Sequence, residues 1–459
     1  MPDRDVVIIG GGISGLTALH FLRTRQPDGT VTLLEAAARL GGTIGTDHVQ
    51  GHSFDWGPNG FLDREPLTLQ VCDELGLDDT LERANPNVSN RFICRDSTLR
   101  AVPSSPGKFL TSDILSLKGR LRVLWEPFAP SANAKDESIY DFASRRIGRE
   151  AADYLVQPMV SGVYGGVATK LSLKSCFSIM HKMESEHGSL VKAMIARKRA
   201  AKAEGKKSGG PSGPGGWLTS FSGGLYALIE RFHELYRDHI RLEAPVESLT
   251  RDDESWVVHC STGETLSARS VIIATPSYKA ADMVQSVSKR LSDHLAAIPY
   301  APIAVVCTGF DREAVVHPLD GFGFLVPAKE KRDILGSIWT SSIFADRAPG
   351  GQVQFRTMLG GDGNHAVTDW SDTELVTRAC GDLKDIVGLK AEPTVARVYR
   401  WDRGIPQFVI GHGERMASVE KELIELPGLH LAGNAYYGIG LNDCVKQALY
   451  VTDRIRNDQ

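Results

Sequence analysis

The chain has 459 residues, of which 42% are hydrophobic and 24% are charged, and its formal net charge is −4. This length exceeds what one hydrophobic core organises and predicts two or three domains of ordinary globular composition. The slight negative charge excludes a general attraction to nucleic acid, and no nucleic-acid motif is present.

The cysteine pattern and the lengths of the apolar runs indicate the cellular compartment in which the protein is expected. Seven cysteines are scattered without a CxxC pair, which favours free thiols in a reducing compartment and provides no metal site. The first predicted strand begins at residue 5, so we expect no signal peptide, and no apolar run of about eighteen residues predicts a membrane-spanning helix. We therefore expect a cytoplasmic location.

The N-terminal segment carries a dinucleotide-binding pattern. Residues 5–9 form an apolar run that predicts a strand buried on both faces, and a helix and a second strand follow. Gly10 permits a tight turn, Gly12 lets the backbone approach a pyrophosphate, and Gly15 lets the helix pack closely on the sheet. The amides at the start of that helix favour phosphate. Glu35 ends the second strand, where an acid can bind ribose hydroxyls.

Two further segments favour FAD over NAD. The segment 39–42 (Arg-Leu-Gly-Gly) offers a basic side chain and a flexible backbone to the far part of a longer cofactor. A second glycine cluster at 438–443 follows a predicted strand at 429–434 and precedes a helix from Cys444 to about Arg454. The positive end of that helix can stabilise negative charge on a reduced flavin. From these residues alone, two alternatives remain: an ordinary turn at 39–42, and a helix that is simply capped by the residues at 438–443.

The middle of the chain predicts a second group of elements. We expect a helix at 225–235, strands at 242–249 and 256–260 in a small antiparallel unit, a buried strand at 270–275, and a second sheet from 303–310, 322–326, 334–339 and 353–359. The Gly/Pro/Ser-rich stretch at 209–216 predicts a flexible loop. A basic stretch precedes it: Lys192, Arg197, Lys198, Arg199, Lys202, Lys206 and Lys207. A solvated helix is the favoured interpretation, and attachment to an anionic membrane is the alternative.

Further short motifs occur in order along the chain: Gly57-Pro58-Asn59, Asn90-Arg91-Phe92, the segment 161–166, Phe221-Ser222-Gly223-Gly224, Gly321-Phe322-Gly323, Trp401 with Ile405-Pro406-Gln407, and Gly433-Asn434 through Asn442-Asp443-Cys444. In this order they carry a resemblance to the protoporphyrinogen oxidases, within the amine-oxidase and phytoene-desaturase superfamily of FAD enzymes, over nearly the whole length of the chain.

This resemblance implies an α/β (α+β mixed) fold with three domains. A discontinuous Rossmann-like FAD domain of the p-hydroxybenzoate-hydroxylase type would comprise 1–88, 217–290 and 395–459. A mixed-sheet substrate domain would comprise 89–110 and 291–394. A helical, membrane-associating domain would comprise 111–216, with a flexible loop near 205–216.

The resemblance also implies site residues. FAD contacts carry over to Gly10, Gly11, Gly12, Ile13, Ser14, Gly15, Glu35, Ala36, Arg39, Gly42, Gly57, Pro58, Asn59, Gly60, Val246, Trp401, Asn434, Ile439, Gly440 and Leu441. Relatives often have Ser at position 60, so only a backbone contact is expected there. Substrate contacts carry over to Arg91, Gly162, Gly165, Leu325 and Phe344. From the residues alone, a surface ion pair for Arg91 and ordinary core positions for the two apolar side chains remain alternatives.

The activity implied is oxidation of protoporphyrinogen IX in haem biosynthesis. Three hydride transfers to flavin N5 would yield protoporphyrin IX, with O2 as acceptor and H2O2 as product. The pyrrole nitrogens can lose protons to water, so no catalytic side chain is expected. His181, His187 and His412 are candidates for proton handling, although turn or surface positions are the favoured interpretation.

Other functions and partners stay open. The alternatives are a coproporphyrinogen III oxidase that forms coproporphyrin, another amine oxidase or desaturase-type flavoenzyme, and a flavin-binding module without catalysis. Oligomeric state (a homodimer included), the physiological electron acceptor and inhibitor sensitivity are not indicated by the sequence.

One apolar stripe bears on membrane contact. Ile114, Leu117, Leu121, Leu124 and Phe128 recur at helical spacing, with basic residues between them. Packing of this stripe on the substrate domain is the favoured interpretation, because such stripes usually face a core. An interfacial helix that takes an apolar substrate from the bilayer is the alternative.

Overall fold

The computed structural model describes residues 3–131, 135–203, 216–252 and 255–457. Its strands are, in chain order, β1 (Arg4–Ile9), β2 (Val31–Leu34), β3 (Thr46–Val49), β4 (His52–Asp55), β5 (Phe61–Leu62), β6 (Leu81–Arg83), β7 (Asn90–Arg95), β8 (Thr98–Ala101), β9 (Leu218–Phe221), β10 (Ile240–Arg241), β11 (Val246–Asp252), β12 (Ser255–Cys260), β13 (Thr265–Ile273), β14 (Tyr300–Asp311), β15 (Gly321–Leu325), β16 (Ile334–Ile338), β17 (Gln352–Gly360), β18 (Val395–Pro406) and β19 (Leu429–Leu431).

The α-helices are α1 (Ile13–Arg25), α2 (Pro66–Glu74), α3 (Pro106–Thr111), α4 (Leu117–Leu124), α5 (Ile139–Ile147), α6 (Arg149–Ala151), α7 (Gln157–Tyr164), α8 (Leu173–Cys176), α9 (Ser178–His187), α10 (Leu190–Ala203), α11 (Ala227–Tyr236), α12 (Ser277–Val284), α13 (Lys289–Ala296), α14 (Thr340–Ile343), α15 (Asp372–Val387), α16 (His412–Ile424) and α17 (Leu441–Asn457). A π-helical turn at Ala152–Val156 joins α6 to α7.

The first sheet is built around the apolar run at the N-terminus. β1 lies between β2 and β13 and is parallel to both, and β10 and β19 add further parallel pairs. Because successive strand residues point to opposite faces, Val6 and Ile8 pack in one hydrophobic cluster while Val7 and Ile9 pack in another. Helices α1 and α17 cover the first of these faces together. The double burial predicted for β1 is confirmed.

The antiparallel strands near residue 250 do not form a separate unit. β11 pairs with β12, and β12 pairs with β13, so both extend the first sheet at one edge. The predicted antiparallel pairing is confirmed, and the structure adds that these strands belong to the first sheet. The reason is that β13 is nine residues long, so its N-terminal half pairs with β12 while its C-terminal half pairs with β1.

The second sheet has the order β18-β14-β17-β16-β15-β7-β8, and only β15 and β7 pair in parallel within it. Helix α15 covers one face through an apolar cluster that includes Leu375, Ala379 and Leu383. β18 pairs with β14 over nearly its whole length. Residues 395–406 therefore lie in this second sheet, and the predicted domain boundary at 395 is corrected to a position after Pro406.

Helices α3 to α10 form the third part of the molecule, between β8 and β9. The buried guanidinium of Arg146 pairs with the carboxylate of Glu126, which also accepts the amide N–H groups of Leu190 and Val191. Through these contacts α5 and the start of α10 are fixed to the segment after α4. None of the helices in the described ranges combines the length and the apolarity needed to cross a membrane.

The apolar stripe of this helical part does not pack on a core. Ile114 is fully buried, but Leu117 is 66% exposed and Phe128 is 71% exposed, and Leu121 and Leu124 are also exposed. The interpretation that the stripe packs on the substrate domain is therefore wrong for all but its first residue. Most of the predicted loop near 205–216, with Lys206 and Lys207, lies outside the described residues.

Candidate active site

The glycine-rich turn after β1 has the geometry that a pyrophosphate site needs. Gly10 has φ +109°, a conformation that favours glycine, and a Cβ added to Gly15 would lie 1.9 Å from the carbonyl oxygen of Gly10. In contrast, a Cβ added to Gly12 would meet no atom within 4 Å. Helix α1 starts at Ile13 without a side-chain cap. Open space thus faces the amides at the start of a helix, where phosphate binds well.

Glu35 follows β2, as predicted, and its carboxylate is held by the backbone. One oxygen accepts the N–H of Gly11 at 2.6 Å, and the other accepts the N–H of Ala37 at 2.8 Å. The N–H of Ala244 binds the carbonyl of Glu35 at 2.9 Å, which brings the segment leading into Val246 to the same end of the sheet. Ala36 is exposed beside them.

Arg39 shapes the turn that faces α1. Its guanidinium donates to the carbonyl oxygens of Leu40, Gly42 and Ile44 at 2.7–3.1 Å, and it stacks 4.3 Å from the centre of the Trp56 ring. A backbone bridge between Gly12 and Gly41 holds this turn against the glycine-rich turn. The arginine's donors therefore organise the backbone around the predicted cofactor site, and its direct contact with a cofactor stays a prediction.

The segment after β4 passes so close to its neighbours that it needs glycine. A Cβ on Gly57 would lie 2.1 Å from the Thr43 carbonyl oxygen, and one on Gly60 would lie 2.5 Å from that of Thr219. This crowding disfavours any side chain at Gly57 or Gly60. Between them, next to Pro58, the side-chain amide nitrogen of Asn59 is buried without a protein partner among the described residues. It is a free donor at the predicted cofactor site.

The two glycine clusters meet in space. The Cys444 thiol at the start of α17 contacts the Ser14 hydroxyl at the start of α1, so the N-termini of these helices lie side by side. The carboxylate of Asp443 accepts the N–H of Gly440 at 3.2 Å. Burial raises the pKa of the Cys444 thiol to about 11, which disfavours the reactive thiolate. The site therefore offers no activated cysteine for a covalent flavin link.

The loops before α17 complete this end of the site. Gly433 has φ +141°, and Asn434 and Ile439 are half-buried beside Leu441, the first residue of the helix. Trp401 lies farther off, on β18 of the second sheet, and is half-buried. The open space at Gly12, the uncapped amides of α1 and the free amide of Asn59 all fit FAD, which would lie between the two helix N-termini and the second sheet.

Arg91 has the properties of a substrate cation. Its guanidinium lies 4.9 Å from the centre of the Phe322 ring, and no carboxylate of the described residues pairs with it. Burial lowers the pKa of Arg91 from its usual value, although arginine stays charged in proteins. The surface ion pair considered as an alternative is thus absent from the described structure, and a half-buried cation is left over an aromatic face.

The other predicted substrate residues fall into two groups. A Cβ on Gly162 would lie 2.5 Å from the Leu325 side chain, so α7 packs directly on β15 there. Gly165 ends α7 with φ +58°. Phe344, however, is 1% exposed and lies beneath the guanidinium of Arg347, 4.9 Å from it. The structure thus places Phe344 in the core, whereas Phe322 lies next to Arg91.

Sequence reasoning missed part of the second-sheet face opposite α15. Leu335 and Met358 are half-buried there, in one cluster with Trp401 and Ile405. The period-2 alternation of β17, which places Met358 on the face opposite the α15 cluster, was an available signal. These side chains form an apolar wall on the second sheet that also contacts Phe54 of β4.

The predicted histidines lie in different environments. His187 is exposed at the end of α9, as expected for a surface residue, and His181 is half-buried on the same helix. His412 is neither a turn nor a surface residue, since it is buried at the start of α16 and stacks on Phe408 with ring centres 4.2 Å apart. Burial lowers the pKa of His412, so its ring is neutral at pH 7.

A buried charge cluster was also missed. Arg347 is fully buried and contacts the carboxylates of Asp346, Glu82 and Asp55. Burial, reinforced by a hydrogen bond to Asp346, raises the pKa of Glu82 to about 7, while Arg347 opposes that shift. The cluster joins β4 and β6 to the segment after α14, next to Phe344. No sequence signal indicated it, because Asp55 and Glu82 are each more than 250 residues from Arg347.

Known proteins share this architecture along the whole chain. The family model described as flavin containing amine oxidoreductase matches residues 13–456. The chloroplastic protoporphyrinogen oxidase of Oryza sativa subsp. japonica is 33% identical over 97% of this chain and 87% of its own. The coproporphyrinogen III oxidase of Bacillus subtilis (strain 168) is 28% identical over 97% of this chain and 96% of its own. A solved structure from Exiguobacterium sp. 255-15, provisionally assigned as a protoporphyrinogen oxidase, superposes with a TM-score of 0.85 at 27% identity and full coverage of both chains.

The fold, the converging helix N-termini and these similarities define an FAD-dependent oxidoreductase. A Rossmann-like sheet holds the cofactor side, and a mixed sheet faces it. The chain belongs to the flavin-containing amine oxidoreductase family, and its relatives include protoporphyrinogen and coproporphyrinogen oxidases of porphyrin biosynthesis.

Proposed function

We propose that this protein oxidises protoporphyrinogen IX to protoporphyrin IX, with O2 as the electron acceptor and H2O2 as the second product. The observation that carries the proposal is an unpaired, half-buried arginine over the Phe322 ring, in the same sheet as an apolar cluster that also includes Phe54 of β4. A porphyrinogen has the complementary chemistry, because it is a largely apolar macrocycle with carboxylates at its edge. The 33% identity to the rice enzyme supports the same substrate class.

The side chains would act by binding and positioning. Arg91 would hold a propionate bidentately, as its planar fork permits. Leu325, Leu335 and Met358 would exclude water from the macrocycle. Bound FAD supplies a hydride acceptor, and the protein's task is to place a bridging carbon of the substrate against it. The neutral His412 and the half-buried Glu82 need not take the pyrrole protons, which water can accept.

Coproporphyrinogen III is the second candidate substrate. The Bacillus subtilis relative favours it, since that coproporphyrinogen III oxidase matches almost end to end. The charge of the predicted substrate residues favours protoporphyrinogen, because a substrate with four carboxylates calls for more cations than one with two. Of the five residues predicted to contact substrate, Arg91 alone is cationic.

Parallel turnover of the two porphyrinogens tests the choice. The purified holoenzyme would receive each substrate at equal concentration in air, with product followed by porphyrin fluorescence. We expect the larger kcat/KM for protoporphyrinogen IX. A larger value for coproporphyrinogen III would replace the first candidate with the second, and no oxidation of either would reject the proposed function.

We further propose that the protein acts in the cytoplasm and contacts an anionic membrane surface through the helical part. The support is the exposed apolar group at 117–128, where Trp125 and Phe128 stack with ring centres 5.0 Å apart. Lys118 is exposed within it, and Arg197 and Arg199 are exposed on α10. Apolar side chains flanked by cations suit the interface of an anionic bilayer, which would supply an apolar substrate.

A further inference from the structure

The strand β17 binds the segment that leads into the predicted cofactor loop. Two alternate residues of the strand make these contacts. Gln354 donates from its side-chain nitrogen to the carbonyl oxygen of Ser53 at 2.9 Å. Two residues along, the guanidinium of Arg356 donates to the carbonyl oxygens of Asp55, Trp56 and Gly57. The second sheet is thus fixed to the backbone that continues into Gly57 and Asn59.

Arg356 is a buried cation without an anionic partner. Its side chain is 6% exposed, and no carboxylate of the described residues lies within ion-pair distance of it. The nearby Asp55 carboxylate is already engaged, since it accepts from Thr46 and Leu225 and faces Arg347 at 3.5 Å. By contrast, the other fully buried arginines, Arg146 and Arg347, both pair with carboxylates.

Burying the charge of Arg356 without a carboxylate partner costs free energy, and the carbonyl dipoles offset only part of that cost. A buried charge normally pairs with an opposite charge or coordinates one, because losing its hydration is expensive. Methionine or leucine would fill the same space without that cost. The position of Arg356 instead directs a permanent positive charge at the backbone of the Gly57–Gly60 loop, where the predicted FAD contacts lie.

We propose that Arg356 is a positioning residue that holds the 55–57 backbone and supplies a fixed positive charge beside the bound flavin. The proposal rests on the FAD site of the proposed function. A flavin gains negative charge when it is reduced, and a fixed cation in a water-poor environment stabilises that charge. Arg356 therefore raises the flavin midpoint potential, which favours hydride uptake from the substrate.

Three variants of the holoenzyme test this role. Arg356→Gln removes the charge and keeps polar contact, Arg356→Lys keeps the charge and loses the planar fork, and Gln354→Met removes a neighbouring bond between the same two elements without a change of charge. The readout is the flavin midpoint potential from dye-coupled reduction, with FAD retention measured by absorbance after gel filtration.

We expect Arg356→Gln to lower the equilibrium constant for flavin reduction at least tenfold, which for a two-electron couple is a fall of about 30 mV in the midpoint potential. The midpoint potentials of Arg356→Lys and Gln354→Met should change by no more than a third of that shift. Both variants should nevertheless release FAD more readily than the parent. If Arg356→Gln retains FAD and its potential equals that of the parent, the proposal is wrong.

The remaining outcomes are also decisive. If Arg356→Gln does not fold, Arg356→Lys alone tests the proposal. A tenfold or larger fall in the equilibrium constant for flavin reduction in Arg356→Lys, which retains the charge, overturns the electrostatic role. An equal fall in Gln354→Met also overturns it, since the effect would then come from loosened packing. A parent protein that carries no FAD would instead reject the proposed function and is recognised before any variant is made.

Discussion

The guanidinium of Arg91 lies 4.9 Å from the centre of the Phe322 ring, and within the described residues it has no carboxylate partner. The aromatic face holds the cation in place by a cation–π contact while its N–H groups stay available. Because Arg91 is on β7 and Phe322 on the parallel β15, the register of two paired strands sets this geometry. A preformed cation of this kind suits recognition of a substrate carboxylate.

Replacing Arg91 tests that recognition. Arg91→Met should raise KM for protoporphyrinogen about tenfold, because one charge-assisted hydrogen-bond pair contributes roughly 1.5–3 kcal/mol and 1.4 kcal/mol corresponds to tenfold. A smaller change in kcat is expected, since the contact is equal in ground and transition states. Arg100→Met is the matched control, because Arg100 lies on the adjacent β8 and pairs with Asp96 and Asp113. Equal KM values for the two variants would contradict the assignment.

The glycine turn allows fold and cofactor binding to be separated. Gly12→Ala should fold normally but lose FAD, because its Cβ points into open space where pyrophosphate would lie. Gly15→Ala should lose stability as well, since its Cβ would lie 1.9 Å from a carbonyl oxygen. Gly381→Ala in α15 is the control, with an expected gain of about 0.5–1 kcal/mol. Bound flavin absorbance and thermal unfolding are the measurements, and full FAD content in Gly12→Ala would refute the turn's role.

The buried cluster at Arg347 predicts a pH dependence of stability. Burial and the Asp346 hydrogen bond raise the pKa of Glu82 from 4.5 to about 7. Between these values the folded state binds more protons at Glu82 than the unfolded state does. The contribution of Glu82 to the free energy of unfolding is therefore largest below pH 4.5 and is lost as the pH rises through about 7.

Glu82→Gln should remove that dependence. Its stability relative to the parent should rise between pH 5 and pH 8 by on the order of 1 kcal/mol, after allowance for solvent screening of a partly exposed group. Urea unfolding at the two pH values measures the difference. Glu247→Gln, at an exposed position of β11, should show no such change. A parent-like slope in Glu82→Gln would show that the carboxyl is ionised throughout this range.

If the helical part contacts the membrane, substitutions there should abolish membrane binding without abolishing turnover. Trp125→Ser with Phe128→Ser should abolish co-sedimentation with anionic liposomes at low salt while turnover of detergent-dispersed substrate continues, because both rings are exposed and neither is a predicted substrate contact. Ile424→Ser, which removes an exposed apolar side chain from α16, is the control. Failure of the parent protein itself to co-sediment would reject the membrane proposal.

Local patterns predicted the cofactor side well. The apolar run before Gly10, the acid after β2 and the glycines before α17 each depend on short-range rules, and the structure places them as expected. The alternation of burial in β1 follows from strand geometry alone. The resemblance added that the two ends of the chain meet, which the contact between Ser14 and Cys444 now describes physically.

The features that the sequence did not predict depend on contacts between residues far apart in the chain. The exposure of Leu117 and Phe128 follows from where α4 lies, because helical spacing shows an apolar face without showing what covers it. Phe344 is buried in an apolar cluster with Ala84, which is far from it in the sequence. The extent of β18 in the second sheet depends on pairing with β14. These are tertiary contacts, so propensity and spacing carry little information about them.

The central claim is that bound FAD accepts hydride from a porphyrinogen, and anaerobic stopped-flow absorbance tests it most directly. The holoenzyme would be mixed without oxygen with protoporphyrinogen IX, and the flavin band would be followed during a single turnover. We expect rapid bleaching of the flavin at a rate that depends on substrate concentration, followed by recovery of the band when O2 is admitted. Flavin that stays oxidised with both protoporphyrinogen and coproporphyrinogen, in protein that carries its full complement of FAD, would contradict the account.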